Sequence, residues 1–274
     1  YTSLFVGSVN VYKRQTVYSQ LKEQPRTSTG NFWHKKIYPH QIWLDGLYMA
    51  QPFYMQYEAE YNGCKNCEDS YQQFLQVYGR MRDPLNGLYY HAYDDSRQMF
   101  WCDKVTGLSE NFWLRAMGWY AMALIDTMEV MPESMACQKA RLNAIYKELI
   151  DAMLPYQDQA TGMWYQVVNR GGIAPNYLEE SGSAIFAYAI MKSVRLHYLP
   201  EEYFKYGQKA FDGICSTYLS EKDGSLQLGG ICLVAGLGNT DMREGTFEYY
   251  MREPVVANEA KGIAPLILAY IETM

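Results

Sequence analysis

A chain of 274 residues, 49% of them hydrophobic and 20% charged, has the size and polarity of a globular protein with a buried core, which excludes disorder and collagen-like repetition. Lys and Arg number 24 against 30 Asp and Glu, so the net charge of −6 leaves no basic stripe to neutralise a nucleic-acid backbone. Apolar runs stay short of the roughly 18 residues a membrane span needs, and a soluble protein is expected.

Residues 1–15 (YTSLFVGSVNVYKRQ) show no helical period joining them to the rest of the chain. They resemble translated sequencing-adapter read-through, and so read as a non-native leader before one domain over 16–274. From Gln41 apolar residues recur at three and four (Ile42, Leu44, Leu47, Tyr48, Phe53, Tyr54), predicting a helix that Pro52 should kink or interrupt. Further helices are predicted over 67–81, 109–131, 137–155, 177–197, 201–220 and 257–272. Several are apolar on more than one side, as helices packed between others are. A glycine phrase recurs between helix pairs at Asn86-Gly87-Leu88-Tyr89, Thr161-Gly162-Met163-Trp164 and Asp223-Gly224-Ser225-Leu226. Such a repeat fits an all-α helical toroid; an irregular all-α bundle with similar turns is the alternative.

Two carboxylates stand in apolar surroundings. Asp45 lies between Leu44 and Leu47, where desolvation would raise its pKa, or else it caps the helix. Asp103 follows Phe100, Trp101 and Cys102, an aromatic wall of the kind that keeps an acid protonated, or else it satisfies amides of a Thr-Gly turn. Asp94 and Asp95 read as solvated turn residues. The histidines 34, 40, 91 and 197 lack paired ligand spacing, and Cys64-Lys-Asn-Cys67 lacks the second pair a zinc site needs, so no metal is expected. The cysteines, read as unpaired, lean to a cytoplasmic protein. With 26 Tyr, 10 Phe and 6 Trp to stack on sugar rings, two carboxylates point to glycoside chemistry.

The phrases YPHQIWLDGLYMAQPF, GLYYHAYDDSRQMFWCDKVTGLSENFWLRAMGWYAMAL, GMWYQV, NYLEESGSAIFAYAI and EYYMREPVVANEAKG closely resemble the unsaturated rhamnogalacturonyl hydrolases of glycoside hydrolase family 105, in order from about Pro25 to the end. The resemblance implies a six-hairpin (α/α)6 barrel, here lacking about one N-terminal hairpin, and no cofactor. It implies Asp103 as general acid/base and Asp45 as a second essential carboxylate. His91, Trp101, Arg115 and Gln166 are implied as substrate-facing, with His40, Trp113 and Lys261 as further candidates. Cys102 departs from the small residue usual between that Trp and Asp.

The implied substrate is an oligosaccharide left by a polysaccharide lyase, with a C4=C5 double bond in its terminal uronate. Protonation at C4 and addition of water at C5 yield a hemiketal that opens and releases the saturated sugar. The alternatives are an unsaturated glucuronyl hydrolase acting on glycosaminoglycan disaccharides and a non-catalytic oligosaccharide-binding toroid.

Overall fold

The computed structural model describes residues 2–239 and 241–274, the side chains of residues 2–11 excepted. Helix α1 (Thr2–Lys22) runs across the boundary expected at residue 15. Its C-terminal half docks through Tyr18, whose ring stacks on Tyr57 at 4.2 Å and whose hydroxyl donates to Glu58. Strand β1 (Gln41–Trp43) leads into α2 (Leu44–Tyr61), and α3 (Cys67–Met81) precedes β2 (Ala92–Asp94). Pro52 lies inside α2 without ending it, because buried Leu47, Tyr54 and Met55 hold the helix to the core on both sides of the proline. Cys64 and Cys67 form a disulfide across the α2–α3 turn; Cys102, Cys137, Cys215 and Cys232 are free.

The next pairs are α4 (Leu114–Val130) with α5 (Ala136–Met153), then α6 (Glu180–Arg195) with α7 (Phe204–Tyr218). Short strands β3 (Leu219–Lys222), β4 (Ser225–Leu228) and β5 (Ile231–Cys232), helix α8 (Phe247–Arg252) and strand β6 (Val255–Val256) lead to α9 (Ala260–Glu272). Helices α2, α4, α6 and α9 pack side by side in that order, while α3, α5 and α7 each back the helix before them. This alternation of inner and outer helices is the toroidal arrangement the glycine repeat implies.

Inner helices must be apolar all round, and 15 of the 16 residues of α6 are buried. The glycines of the repeat adopt left-handed backbone, with φ of 78° at Gly87, 74° at Gly162 and 73° at Gly224. At Gly162 a Cβ would also stand 2.7 Å from Lys209 Cγ.

Short extended segments lace together the N-terminal ends of the inner helices. β1 pairs antiparallel with β2, Trp43 opposite Ala92, and the Leu44 amide then donates to the His91 carbonyl at 3.2 Å. The Leu114 amide donates to Gln166, and that of Glu180 to Gly230, both at 3.0 Å. The first turns of α2, α4 and α6 therefore open on one end of the molecule, where their dipoles favour negative charge.

Candidate active site

Asp45 occupies the first turn of α2 and is not its cap, which is Trp43. The β1–β2 register sets its Oδ2 3.3 Å from His91 Nε2, and His91 Nδ1 lies 2.7 Å from the Tyr250 hydroxyl on α8. His91 is fully buried, whereas 16% of the Asp45 side chain remains accessible, so Asp45 is the member of this chain that faces solvent. Aromatic rings enclose the pair. Trp43 meets His91 edge-on at 5.3 Å and Trp113 lies 4.7 Å from it. The His34 ring stacks on Trp43 at 4.4 Å, and burial pushes its pKa down to about 4, so it is neutral.

Burial pulls the Asp45 carboxyl upward, but the adjacent His91 outweighs it and leaves Asp45 below its ordinary value. The raised pKa expected from the sequence is corrected accordingly, to a carboxyl that the neighbouring imidazole holds down.

Arg115, second residue of α4, is 1% exposed and lies over the Trp113 ring at 4.9 Å. Its Nη1 donates to Ser181 Oγ at 3.0 Å and to the Cys232 carbonyl at 2.5 Å. Gln166 is fully buried, accepting from Trp113 Nε1 at 3.0 Å and directing its own amide to Cys232 Sγ at 3.1 Å. Both ends of Gln166 are engaged, so in this structure it braces Trp113. Next to this group burial, with Glu179 nearby, raises the Glu180 carboxyl to about 9, and neither of its oxygens has a protein partner.

Asp103 departs from expectation. Its side chain is exposed, and Oδ1 accepts the amides of Val105 at 2.9 Å and Thr106 at 2.6 Å together with the Thr106 hydroxyl at 2.9 Å. These bonds, the Thr106 amide foremost, hold its carboxyl below the ordinary range. The wall is incomplete because Phe100 turns outward, 42% exposed, while Trp101 is buried beside Met99 and Gly238. Asp103 lines an open cleft with Tyr90, Trp101 and Glu110 that does not include Asp45. The neutral acid expected at this position is thereby corrected to an ionised turn residue.

Three further expectations change. His40 is exposed, its ring 4.7 Å from Trp33, outside the Asp45 enclosure. Lys261 is matched by Glu259 in the first turn of α9, so it is not a free cation. Asp94 is fully buried and gathers the amides of Ser96, Gln98 and Met99, because the loop after β2 wraps around it. Trp43, His34, Tyr250, Cys232 and Glu179 belong to the enclosure although no sequence signal singled them out. Trp43 and His34 lie close to Asp45 in the chain, but Tyr250 and Cys232 arrive from the distant elements α8 and β5. Among the described residues no group of three or more His, Cys, Asp or Glu could hold a metal ion, and no helix is long and apolar enough to cross a membrane.

Inner and outer helices in alternation, with a carboxylate, a histidine and two indoles at the inner-helix N-termini, fit a glycoside hydrolase. Residues 9–274 match the model of Glycosyl Hydrolase Family 88, and the chain belongs to that family. Its likeness to a Clostridium acetobutylicum glycoside hydrolase of family 105 is close, with 46% identity and a TM-score of 0.91 over 94% of this chain and 71% of that one. It is 39% identical over 233 residues to Protein Atu3128 of Agrobacterium fabrum, covering 82% of this chain and 98% of that protein. The unsaturated rhamnogalacturonyl hydrolase YesR of Bacillus subtilis is 29% identical over 212 residues, which are 74% of this chain and 55% of YesR. This is a glycoside hydrolase of the family 88 and 105 type.

Proposed function

We propose that the protein removes the terminal 4,5-unsaturated uronate from lyase-generated rhamnogalacturonan oligosaccharides, and that Asp45 delivers the proton. The observation that carries this reading is the Asp45–His91–Tyr250 chain in its aromatic enclosure, with Asp45 the member open to solvent. In the free protein Asp45 is ionised beside His91. A sugar ring seated over it excludes its remaining water and brings a second carboxylate near. Both effects raise its pKa, so Asp45 takes up a proton when substrate binds.

Asp45 then protonates C4, and positive charge develops at C5 and the ring oxygen. The carboxylate left behind stabilises that charge and takes a proton from water as its oxygen bonds to C5. The hemiketal opens, releasing the saturated sugar and the ring-opened keto acid. Because the proton goes to carbon and not to the glycosidic oxygen, the usual retaining and inverting geometries do not apply. The buried Arg115 and the inner-helix N-termini favour the uronate carboxylate despite the net negative charge. The likeness to YesR supports a rhamnose-linked over a glycosaminoglycan substrate.

The test is the loss of alkene absorbance from an unsaturated rhamnogalacturonan disaccharide. Asp45→Asn is expected to slow it by at least about 10²–10⁴-fold, and Asp103→Asn to leave it within about twofold, since Asp103 supplies no proton in this scheme. Equal turnover by the parent and Asp45→Asn would sink the proposal.

A further inference from the structure

The two buried long-chain cations among the described residues are held differently. Lys192 is matched by Asp126 and Glu129, each at 2.7 Å, whereas Arg115 is fixed by two neutral acceptors, a serine hydroxyl and a main-chain carbonyl. Glu179 holds both of those acceptors. Its Oε1 accepts the Ser181 hydroxyl at 2.7 Å and the Cys232 amide at 3.0 Å, while Oε2 accepts the Gly182 amide at 2.7 Å. The bonds close a ring from Glu179 through Ser181, Arg115 and Cys232 and back to Glu179.

Arg115 can only donate to Ser181 Oγ, which leaves the one hydroxyl proton for Glu179, so the acid fixes the orientation of the hydroxyl that receives the guanidinium. Gly182 completes the fit, since a Cβ there would stand 2.5 Å from Leu114 Cγ and 3.1 Å from the Arg115 nitrogen, forcing α6 away from α4.

We propose that Glu179 is a positioning residue that aligns Arg115 for the uronate carboxylate of the substrate; this rests on the hydration reading above. Glu179 also caps α6, accepting the Ser181 and Gly182 amides. An aspartate would cap equally well, as the commoner residue at such positions, but is one methylene short of the Cys232 amide. The substitution Glu179→Asp therefore separates capping from alignment, and Ser181→Ala breaks the same ring at its second member.

Both variants are measured with the unsaturated disaccharide as its free acid and as its methyl ester, which keeps the alkene and loses the charge. On the acid, KM is expected to rise about tenfold with kcat within about twofold, as loss of a charge-assisted contact made equally in ground and transition states requires. On the ester both constants should stay at the parent values. A merely structural defect would lower turnover of acid and ester together, and that result, or an unchanged KM on the acid, would overturn the proposal. A parent that turns over neither form refutes the hydration reading alone, and calorimetric titration with galacturonate then decides. Binding to the parent that weakens about tenfold in both variants supports alignment, while equal binding, or none to the parent, overturns it.

Discussion

Asp45 and Asp103 are both aspartates among aromatic neighbours, yet they stand in opposite environments. Asp45 begins an inner helix and points at an imidazole within a shell of indoles, with one face left open. Asp103 begins a five-residue Asp-x-x-Thr-Gly turn and spends its carboxylate on that turn. The same turn recurs at Asp158, whose Oδ1 accepts the Ala160 and Thr161 amides and the Thr161 hydroxyl, with Gly162 donating to the Asp158 carbonyl as Gly107 does to that of Asp103. A local motif thus accounts for Asp103 without reference to substrate, whereas no local motif accounts for Asp45.

The sharpest way to break this contrast is to set Asp45→Asn against Asp103→Asn in the alkene assay. If Asp103→Asn is the variant that loses turnover, the two aspartates must exchange roles. His91→Gln should lower kcat by about 10–100-fold, less than loss of Asp45, because the carboxylate survives without the imidazole packed beside it. Its pH profile should also move upward on the acid side, since His91 no longer holds the Asp45 carboxyl down, which steady-state rates between pH 4 and 9 would detect.

Glu180 extends the comparison to a carboxyl kept neutral. Its folded pKa of about 9 means the native state retains a proton that the unfolded chain releases near the ordinary glutamate value. Stability should therefore fall as pH rises between those two values, by up to about 1.4 kcal/mol per pH unit. Urea denaturation at pH 5.5 and 8 should show this slope flattened in Glu180→Gln, with the variant more stable at pH 8. The smallest effect is expected at Asp158, the twin of Asp103. Asp158→Ala should cost about 1 kcal/mol of stability and leave KM and kcat unchanged, as measured by thermal melting and steady-state assay.

Much of the framework is legible in the sequence. Inner helices announce themselves by apolar residues on every face, as in Ala184 to Met191, and the left-handed glycines follow from the repeated phrase. Asp45 is legible as an acid in an apolar run, and His91 and Arg115 through the family resemblance. The error at Asp103 has a local cause. Phe100 precedes it in the chain but turns outward, and the carboxylate is taken up by the amides of its own turn, so adjacency in sequence does not become an enclosing wall in space. The identical turn chemistry at Asp158–Gly162 carries the same message. Tyr250, Cys232 and Glu179 have no such signal, since their meeting depends on how α6, α8 and the β5 segment are laced together, which periodicity does not encode.

The pairing of β1 with β2 spans three residue pairs, Gln41 with Asp94, Ile42 with Tyr93 and Trp43 with Ala92. Side chains alternate along a strand, so sliding one strand past the other by a single position would invert which faces look inward. Inserting one residue anywhere in 41–43 would leave every reactive group present in the polypeptide while turning Trp43 away and carrying the carboxylate off its imidazole. Activity here depends on phase as much as on composition.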